Sequence, residues 1–279
     1  MTNKKSILIT GASSGIGKYA TEIFALRGWI VWAGYRDEKI KEELSKIHMN
    51  VRPLKIDVTD MDLIIKSKEV IEKSGIQLNI LFNNAGLALG GPIEVLDIEE
   101  VKKVYDVNLF GYLRMIQIFL PVLRKSHGRI LNMSSLAGLV GVPFLMPYSS
   151  SKFAIEGMSD GLRRELLNQK ISVSVIEPGP IKTGIWEKSL VSSKEFLKNK
   201  SGITTLYEPA VGNFASLLHK NDSFSVSQKK LEKALIHACE SSRPKLRYLV
   251  YKNNYVLKFL IQITSNRFLD FLFRKVLKY

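Results

Sequence analysis

The stretch Lys5–Gly28, KSILITGASSGIGKYATEIFALRG, decides the fold. KSILIT is a short apolar run of β character, GASSGIG is a glycine turn, and KYATEIFALRG follows a helical pattern. Strand, glycine turn and helix in that order form the context in which a glycine motif carries meaning. The spacing is Gly11-x-x-x-Gly15-x-Gly17 rather than the commoner G-x-G-x-x-G. The same physics applies. Glycines permit a tight turn and let backbone N–H groups and a helix N-terminus approach a pyrophosphate. The alternative is a merely flexible turn, and three glycines at one strand–helix junction weigh against it.

Outward from this unit the rhythm repeats. WIVWAGY ends at Tyr35, VRPLKIDVTD carries Asp57, LNILFNNAG ends at Asn83–Gly86, GRILNMSS ends at Ser135, and ISVSVIEPG ends at Gly179. Helical patterns separate these runs, one of them continuous from IEEVKKVYDVNLFGYL to QIFLPVLRK. Such alternation implies right-handed β-α-β units and a doubly wound parallel sheet covered on both faces, an α/β single domain. SQKKLEKALIHACE reads as a later helix with Ser227 near its N-cap, and KLRYLV as a last short strand. Residues 181–225 have weak periodicity and many Ser, Lys and Gly, the composition of a substrate lid. The expected division is a main domain over 1–253, lid included, and a helical tail over 254–279.

The 279 residues suffice for one substantial core, and 46% hydrophobic with 24% charged residues is globular composition. The single cysteine, Cys239, rules out an intramolecular disulfide and fits a reducing, cytoplasmic setting. Four scattered histidines lack metal-ligand spacing, so no metal is expected. MTNKK runs directly into the first strand, which reads as neither signal peptide nor anchor. No uninterrupted apolar run approaches the ~20 residues of a spanning helix. The formal charge of +15 is uneven: residues 180–279 hold 18 Lys/Arg against 7 Asp/Glu. No nucleic-acid motif accompanies that excess, and a lysine-rich solubilising surface is the plainer account.

Chemistry gathers in SLAGLVGVPFLMPYSSSK, residues 135–152. Tyr148 and Lys152 are four residues apart at the start of a helical pattern, on one helix face. An ammonium beside a phenol favours the phenolate, so Tyr148 is expected to titrate below the usual value near 10 and to exchange a proton with a carbonyl or alcohol. Ser135 closes the preceding strand and is placed to bind the same oxygen. Alone, such a pair more often marks a solvated helix face. At the end of the second strand, Tyr35 stands where an acid would bind a ribose 2′-hydroxyl, and Arg36 follows with a guanidinium suited to a phosphate. Either Arg36 selects NADP, or Asp37 and Glu38 begin a helix and Arg36 is simply solvated. Asp57 either meets an adenine amino group or, with Thr59, caps the next helix. Asn108 is either a packing residue or faces the Tyr–Lys pair.

TGASSGIG, NNAG, Asn108 in DVNLFG, Ser135, Tyr148-Ser-Ser-Ser-Lys152 and PGPIKT occur in order across about residues 5–185. In these motifs the chain resembles the short-chain dehydrogenases/reductases, and SKFAIEGMSDGLRREL with IEPGPIKT is similar to the hydroxysteroid and retinol dehydrogenase branch. The resemblance implies a Rossmann fold, Tyr148 as acid/base, Lys152 lowering its pKa and binding the nicotinamide ribose, Ser135 polarising the substrate oxygen, and Asn108 holding a relay water. It also implies pyrophosphate contacts from Gly11, Gly15 and Gly17, with Ser13, Ser14 and Ile16 beside them. Arg36 would meet the 2′-phosphate, Asp57 and Val58 the adenine, and Asn84, Ala85 and Gly86 the adenosine side. Pro178 and Gly179 lead to Ile181 and Thr183 at the nicotinamide amide. One departure is visible: many NADP-preferring members carry a basic residue where this chain has Ser14. A homodimer or homotetramer is also implied.

The expected activity is interconversion of an alcohol and a ketone or aldehyde on a sizeable apolar substrate, with Trp186, Leu190 and Phe196 in the lid. The alternative is an NADPH-reading sensor without turnover, although such proteins tend to lose a catalytic residue and this chain keeps all four. In the tail, Arg267, Asp270, Arg274 and Lys278 share one helical face opposite Phe268, Leu269, Phe271, Leu272, Phe273, Val276 and Leu277. That pattern fits either a helix completing the substrate pocket or a basic helix lying on a membrane surface.

Overall fold

Parallel β runs that are apolar on both faces must be covered on both sides, and this sheet is. The computed structural model describes residues 4–180, 203–220, 227–251 and 264–277. Its strands are β1 (Ser6–Ile9), β2 (Ile30–Tyr35), β3 (Val51–Lys55), β4 (Ile80–Asn83), β5 (Arg129–Met133), β6 (Ser172–Pro178) and β7 (Arg247–Val250). They form one sheet in the order β3-β2-β1-β4-β5-β6-β7, every neighbouring pair parallel. The order reverses between β1 and β4, so a crevice opens at their carboxyl ends, where such sheets take ligands.

Alternate residues of each strand feed two cores. Ile7, Ile9, Val31, Phe82 and Ile176 pack with Phe24 of α1 (Gly15–Leu26) and with Leu231 and Leu235 of α8 (Gln228–Glu240). Leu8, Trp32, Leu81, Ile130 and Val173 face the other way, onto Ile64 of α3 (Met61–Lys73) and Met115, Phe119 and Leu123 of α5 (Gly111–Ser126). Each large side chain buried in this way contributes roughly 1.5–3 kcal/mol. The shorter α2 (Lys41–Ile47) adds Leu44 to the first core.

The long central pattern is one continuous helix. α4 (Ile98–Tyr105) runs into α5 through a π-helical turn at Asp106–Phe110. Ile98–Ser126 is long and apolar enough to cross a membrane by length and composition, but Tyr112, Met115, Phe119 and Leu123 are fully buried against the sheet, as in a core helix. Arg114 clamps the π turn: Nη2 donates to Asp106 Oδ1 (2.7 Å), and Nη1 reaches the carbonyls of Asp106 (3.4 Å) and Val58 (3.3 Å). α6 (Met146–Glu165) then carries Tyr148 and Lys152 across the sheet.

The segment read as an unpatterned lid contains α7 (Ile203–Lys220), a helix of 18 residues. Pro209 and Gly212 interrupt its pattern, and packing supplies the order that periodicity did not announce. The tail contains α9 (Asn266–Leu277). Its Leu277 is buried with Ala210 and Phe214 of α7, and the Leu277 carbonyl accepts from Asn213 Nδ2 at 2.9 Å. Trp186, Leu190, Phe196 and Lys278 lie outside the described residues.

Candidate active site

The glycine turn leaves β1 with Gly11 at φ +65° and enters α1 after Ser14, whose side chain makes no capping bond. The first N–H groups of α1 therefore face the crevice without a capping side chain, as an anion site requires. Gly17 stands behind this turn rather than in the crevice. A Cβ there would run into the Gly11 carbonyl and come within 2.6 Å of Asn84 Nδ2, so close packing alone demands glycine at this position. Thr10, which sequence reasoning did not single out, braces the turn from below. Its Oγ1 accepts from the backbone N–H groups of Asn84 (2.9 Å) and Ala85 (3.0 Å), while Asn84 Nδ2 donates to the Thr10 carbonyl.

A cleft of about 530 Å³ runs from this turn across the carboxyl ends of the strands. Gly11, Ser13, Ser14, Gly15 and Ile16 line its centre, and Arg36, Asp57 and Val58 one end. Asn84, Ala85, Gly86, Pro178 and Gly179 line the flanks, and Ser135, Tyr148 and Lys152 the other end. Leu87, Val107, Met133 and Ser134 also line it and carried no sequence signal. Ile181 and Thr183 lie outside the described residues.

At the first end, Arg36 is exposed and makes no hydrogen bond or ion pair among the described residues. Its neighbours are spoken for. Asp37 accepts from the Lys39 N–H to start a short 3₁₀ turn, and Glu38 pairs with Lys55 at 2.8 Å. The acids thus begin a helical turn, as one sequence alternative expected, and the guanidinium is left lining the cleft. Asp57 accepts from the Thr59 N–H (2.9 Å) and Oγ1 (2.7 Å), while Asp60 caps α3 through the Leu63 N–H. Neither Asp57 nor Thr59 is the cap.

At the other end, Ser135 stands two residues beyond β5, at the start of a 3₁₀ turn, and hydrogen-bonds the buried Tyr148 hydroxyl. Lys152 reaches under the ring. Its Nζ donates to the Met133 carbonyl at 2.8 Å and sits 5.7 Å from the Tyr148 ring centroid. Burial brings Lys152 down to about 7, against the opposing pull of the Glu156 carboxylate. Burial also raises Tyr148, and the Ser135 hydrogen bond only partly offsets it. The expected lowering of Tyr148 by Lys152 is therefore absent here. The helical spacing brings the two side chains together, but the ammonium is anchored on a backbone carbonyl and is itself pushed toward neutrality.

Asn108 sits in the π turn, fully buried. Its amide donates to the Leu87 carbonyl (2.9 Å) and Ser151 Oγ (2.9 Å), and its Oδ1 accepts from the Leu87 N–H (2.7 Å). Both amide protons are committed, which leaves a lone pair of Oδ1 for any water. Gly86 lies between this amide and Lys152: a Cβ there would be 3.4 Å from Oδ1 and 3.8 Å from Nζ.

Beyond Tyr148 the surface turns apolar. Ala137, Leu145, Ala210, Phe214 and Leu277 cluster with its ring. Phe144, held at φ +61°, meets Phe214 at 5.8 Å and Tyr207 edge-on at 6.4 Å. A proton-exchanging pair at the end of this cleft, under an apolar wall, suits hydride chemistry on a carbon–oxygen unit.

A family model described as short chain dehydrogenase matches residues 5–193. The chain belongs to that family. Membership in the short-chain dehydrogenases makes it an oxidoreductase of CH–OH and keto groups. An NADPH-dependent 3-dehydrocapnine reductase of Ornithobacterium rhinotracheale is 35% identical, with 97% of this chain and 96% of the relative aligned. Human 17-beta-hydroxysteroid dehydrogenase type 1 is 33% identical over 87% of this chain and 76% of its own length. Two solved structures share the fold. A Burkholderia cenocepacia short-chain dehydrogenase in complex with NADP has TM-score 0.72 at 24% identity, covering 96% of this chain and 97% of its own. A Burkholderia phymatum relative in complex with NAD has TM-score 0.76 at 21% identity, covering 93% and 92%. At these identities the two structures show the shared fold.

Proposed function

We propose that this short-chain dehydrogenase interconverts a ketone and a secondary alcohol on a sizeable apolar substrate with NADP(H), Tyr148 being the acid/base. One observation carries the reading: Ser135, Tyr148 and Lys152 share the end of a cleft whose far end holds the Arg36 guanidinium, which has no ion-pair partner among the described residues. The residues fit the dinucleotide. The uncapped N-terminus of α1 suits its pyrophosphate, Arg36 its 2′-phosphate, and Lys152 a nicotinamide ribose. With Ser14 in place of a basic residue, Arg36 carries the 2′-phosphate charge with less help.

When bound, NADPH supplies the hydride. The chain's own part is to hold the substrate oxygen and move one proton. Ser135 Oγ and the Tyr148 hydroxyl bind the carbonyl oxygen, and Tyr148 gives up its proton as that oxygen becomes an alcohol. Lys152, at about 7, reprotonates Tyr148 near neutral pH, and Asn108 and Gly86 stand on the side from which Lys152 would be recharged. The wall of Phe144, Phe214 and Leu145 excludes water and favours an apolar substrate. Support also comes from relatives named for reduction of apolar keto compounds, including a 3-ketodihydrosphingosine reductase of Bacteroides thetaiotaomicron, 37% identical over 67% of this chain. A panel of ketones and aldehydes with NADPH and with NADH, followed by absorbance of the reduced nicotinamide, tests the proposal. Oxidation of NADPH by long-chain or polycyclic ketones is the expected result. NADPH binding without turnover on any carbonyl would overturn it in favour of a sensor.

A further inference from the structure

We infer that the outward face of α9 is a docking surface for an anionic phospholipid bilayer. The sequence pattern placed all the apolar residues of this helix on one face. The structure divides them into two. Leu269, Phe273 and Leu277, at four-residue steps, turn inward: Leu277 is buried on α7, and Leu269 and Phe273 face Val140, Gly141 and Pro143 in the segment joining Ser135 to Tyr148. Phe268, Phe271, Leu272 and Val276 turn outward and are 52%, 51%, 41% and 47% exposed. At 3.6 residues per turn they span an arc of about 140°.

Four large exposed side chains in one arc of a short helix are more than scattered surface hydrophobics. Their surroundings indicate what covers them. Arg267 and Arg274 border the arc, and Lys275 rises through it with Nζ 5.3 Å from the Phe271 ring. The helix carries three cations against the single acid Asp270. A second copy meeting this face about a two-fold axis would set like charges together, whereas anionic headgroups complement them. The excess of 18 Lys/Arg over 7 Asp/Glu in residues 180–279 acts in the same sense. An apolar, aromatic arc edged by arginine and lysine, on a helix pinned to the protein by its other row, is the pattern of an interfacial helix. Leu277 of the same inner row packs in the cluster that holds Tyr148, so docking would set the apolar end of the cleft close to the bilayer.

The test is flotation of the full-length, cofactor-free protein with vesicles of phosphatidylcholine alone and of phosphatidylcholine mixed with phosphatidylglycerol. It uses neither substrate nor nucleotide, so its outcome is separate from that of the ketone panel. The expected result is flotation with the mixed vesicles that weakens at high salt. Phe268→Ser with Phe271→Ser should reduce partitioning about tenfold or more without changing the melting temperature. Arg267→Glu with Lys275→Glu leaves the apolar arc intact and should abolish the preference for anionic lipid. The inference is overturned if the wild type stays unbound with both vesicles, or if both double variants float as it does. It is equally overturned if the wild type forms dimers that the phenylalanine variant dissociates and does not float.

Discussion

Lys152 Nζ is anchored on the main-chain carbonyl of Met133, 2.8 Å away, and not on the hydroxyl of Tyr148. Buried there, the amine falls to about 7 from an ordinary 10.5. In the window between those values the unfolded chain binds a proton that the folded chain has released. Stability therefore rises with pH across it and is flat below it with respect to this group. Above about 10 the raised Tyr148 and Tyr112 act oppositely, since the folded chain then keeps protons the unfolded chain loses. In denaturant titrations without cofactor, wild type should gain stability relative to Lys152→Met between about pH 7 and 9.5. A constant difference across that range would show that Lys152 is charged in the fold.

Tyr148→Phe removes the proton and keeps the ring that packs with Ala137, Leu145 and Phe214. Ketone reduction should fall by about 10²–10⁴-fold, with the NADPH dissociation constant little changed. Activity above a tenth of wild type would assign the proton to another group.

Arg36→Ala deletes a side chain that has no hydrogen-bond or ion-pair partner among the described residues, so its effect reads out ligand binding. NADPH binding should weaken by about 1.5–3 kcal/mol, one charge-assisted contact, and NADH binding should not. Titration calorimetry with both nucleotides distinguishes this from equal losses, which would mean a structural role.

Gly17→Ala drives a methyl group into the Gly11 carbonyl and the Asn84 amide. Overpacking of this kind costs about 1–3 kcal/mol and shifts the turn over which the pyrophosphate would sit. A lowered melting temperature together with weaker nucleotide binding is expected. An unchanged melting temperature would mean that the turn yields freely.

The strands were legible because parallel strands covered on both faces are apolar throughout, as in Ile7-Leu8-Ile9, and short glycine- or asparagine-marked turns end them. The reacting end was legible as spacing: Tyr148 and Lys152 are four apart on a helix, and a helix must bring them together. What spacing cannot convey is how deeply Tyr148 is buried, and that burial decided the sense of its shift. Thr10 was silent for a similar reason, since a threonine at a strand end has many uses and its part depends on Asn84 and Ala85 arriving from another strand. α7 was hidden by Pro209 and Gly212, which disrupt a pattern that contact with α9 restores. The two-sided character of α9 needed its neighbours, because every residue on its broad apolar arc looks alike until something covers half of it.

Arg114 joins the Val58 carbonyl, on the nucleotide side of the cleft, to Asp106, two residues before Asn108 in the π turn. The two ends of the site are thus mechanically coupled through one side chain. A substitution at Asp57–Val58 meant to alter base preference would pull on the same guanidinium that holds the register of the Asn108 turn. Cofactor swaps in this protein should therefore be selected together with compensating changes along Asp106–Arg114, and a library confined to the nucleotide end would sample mostly crippled enzymes.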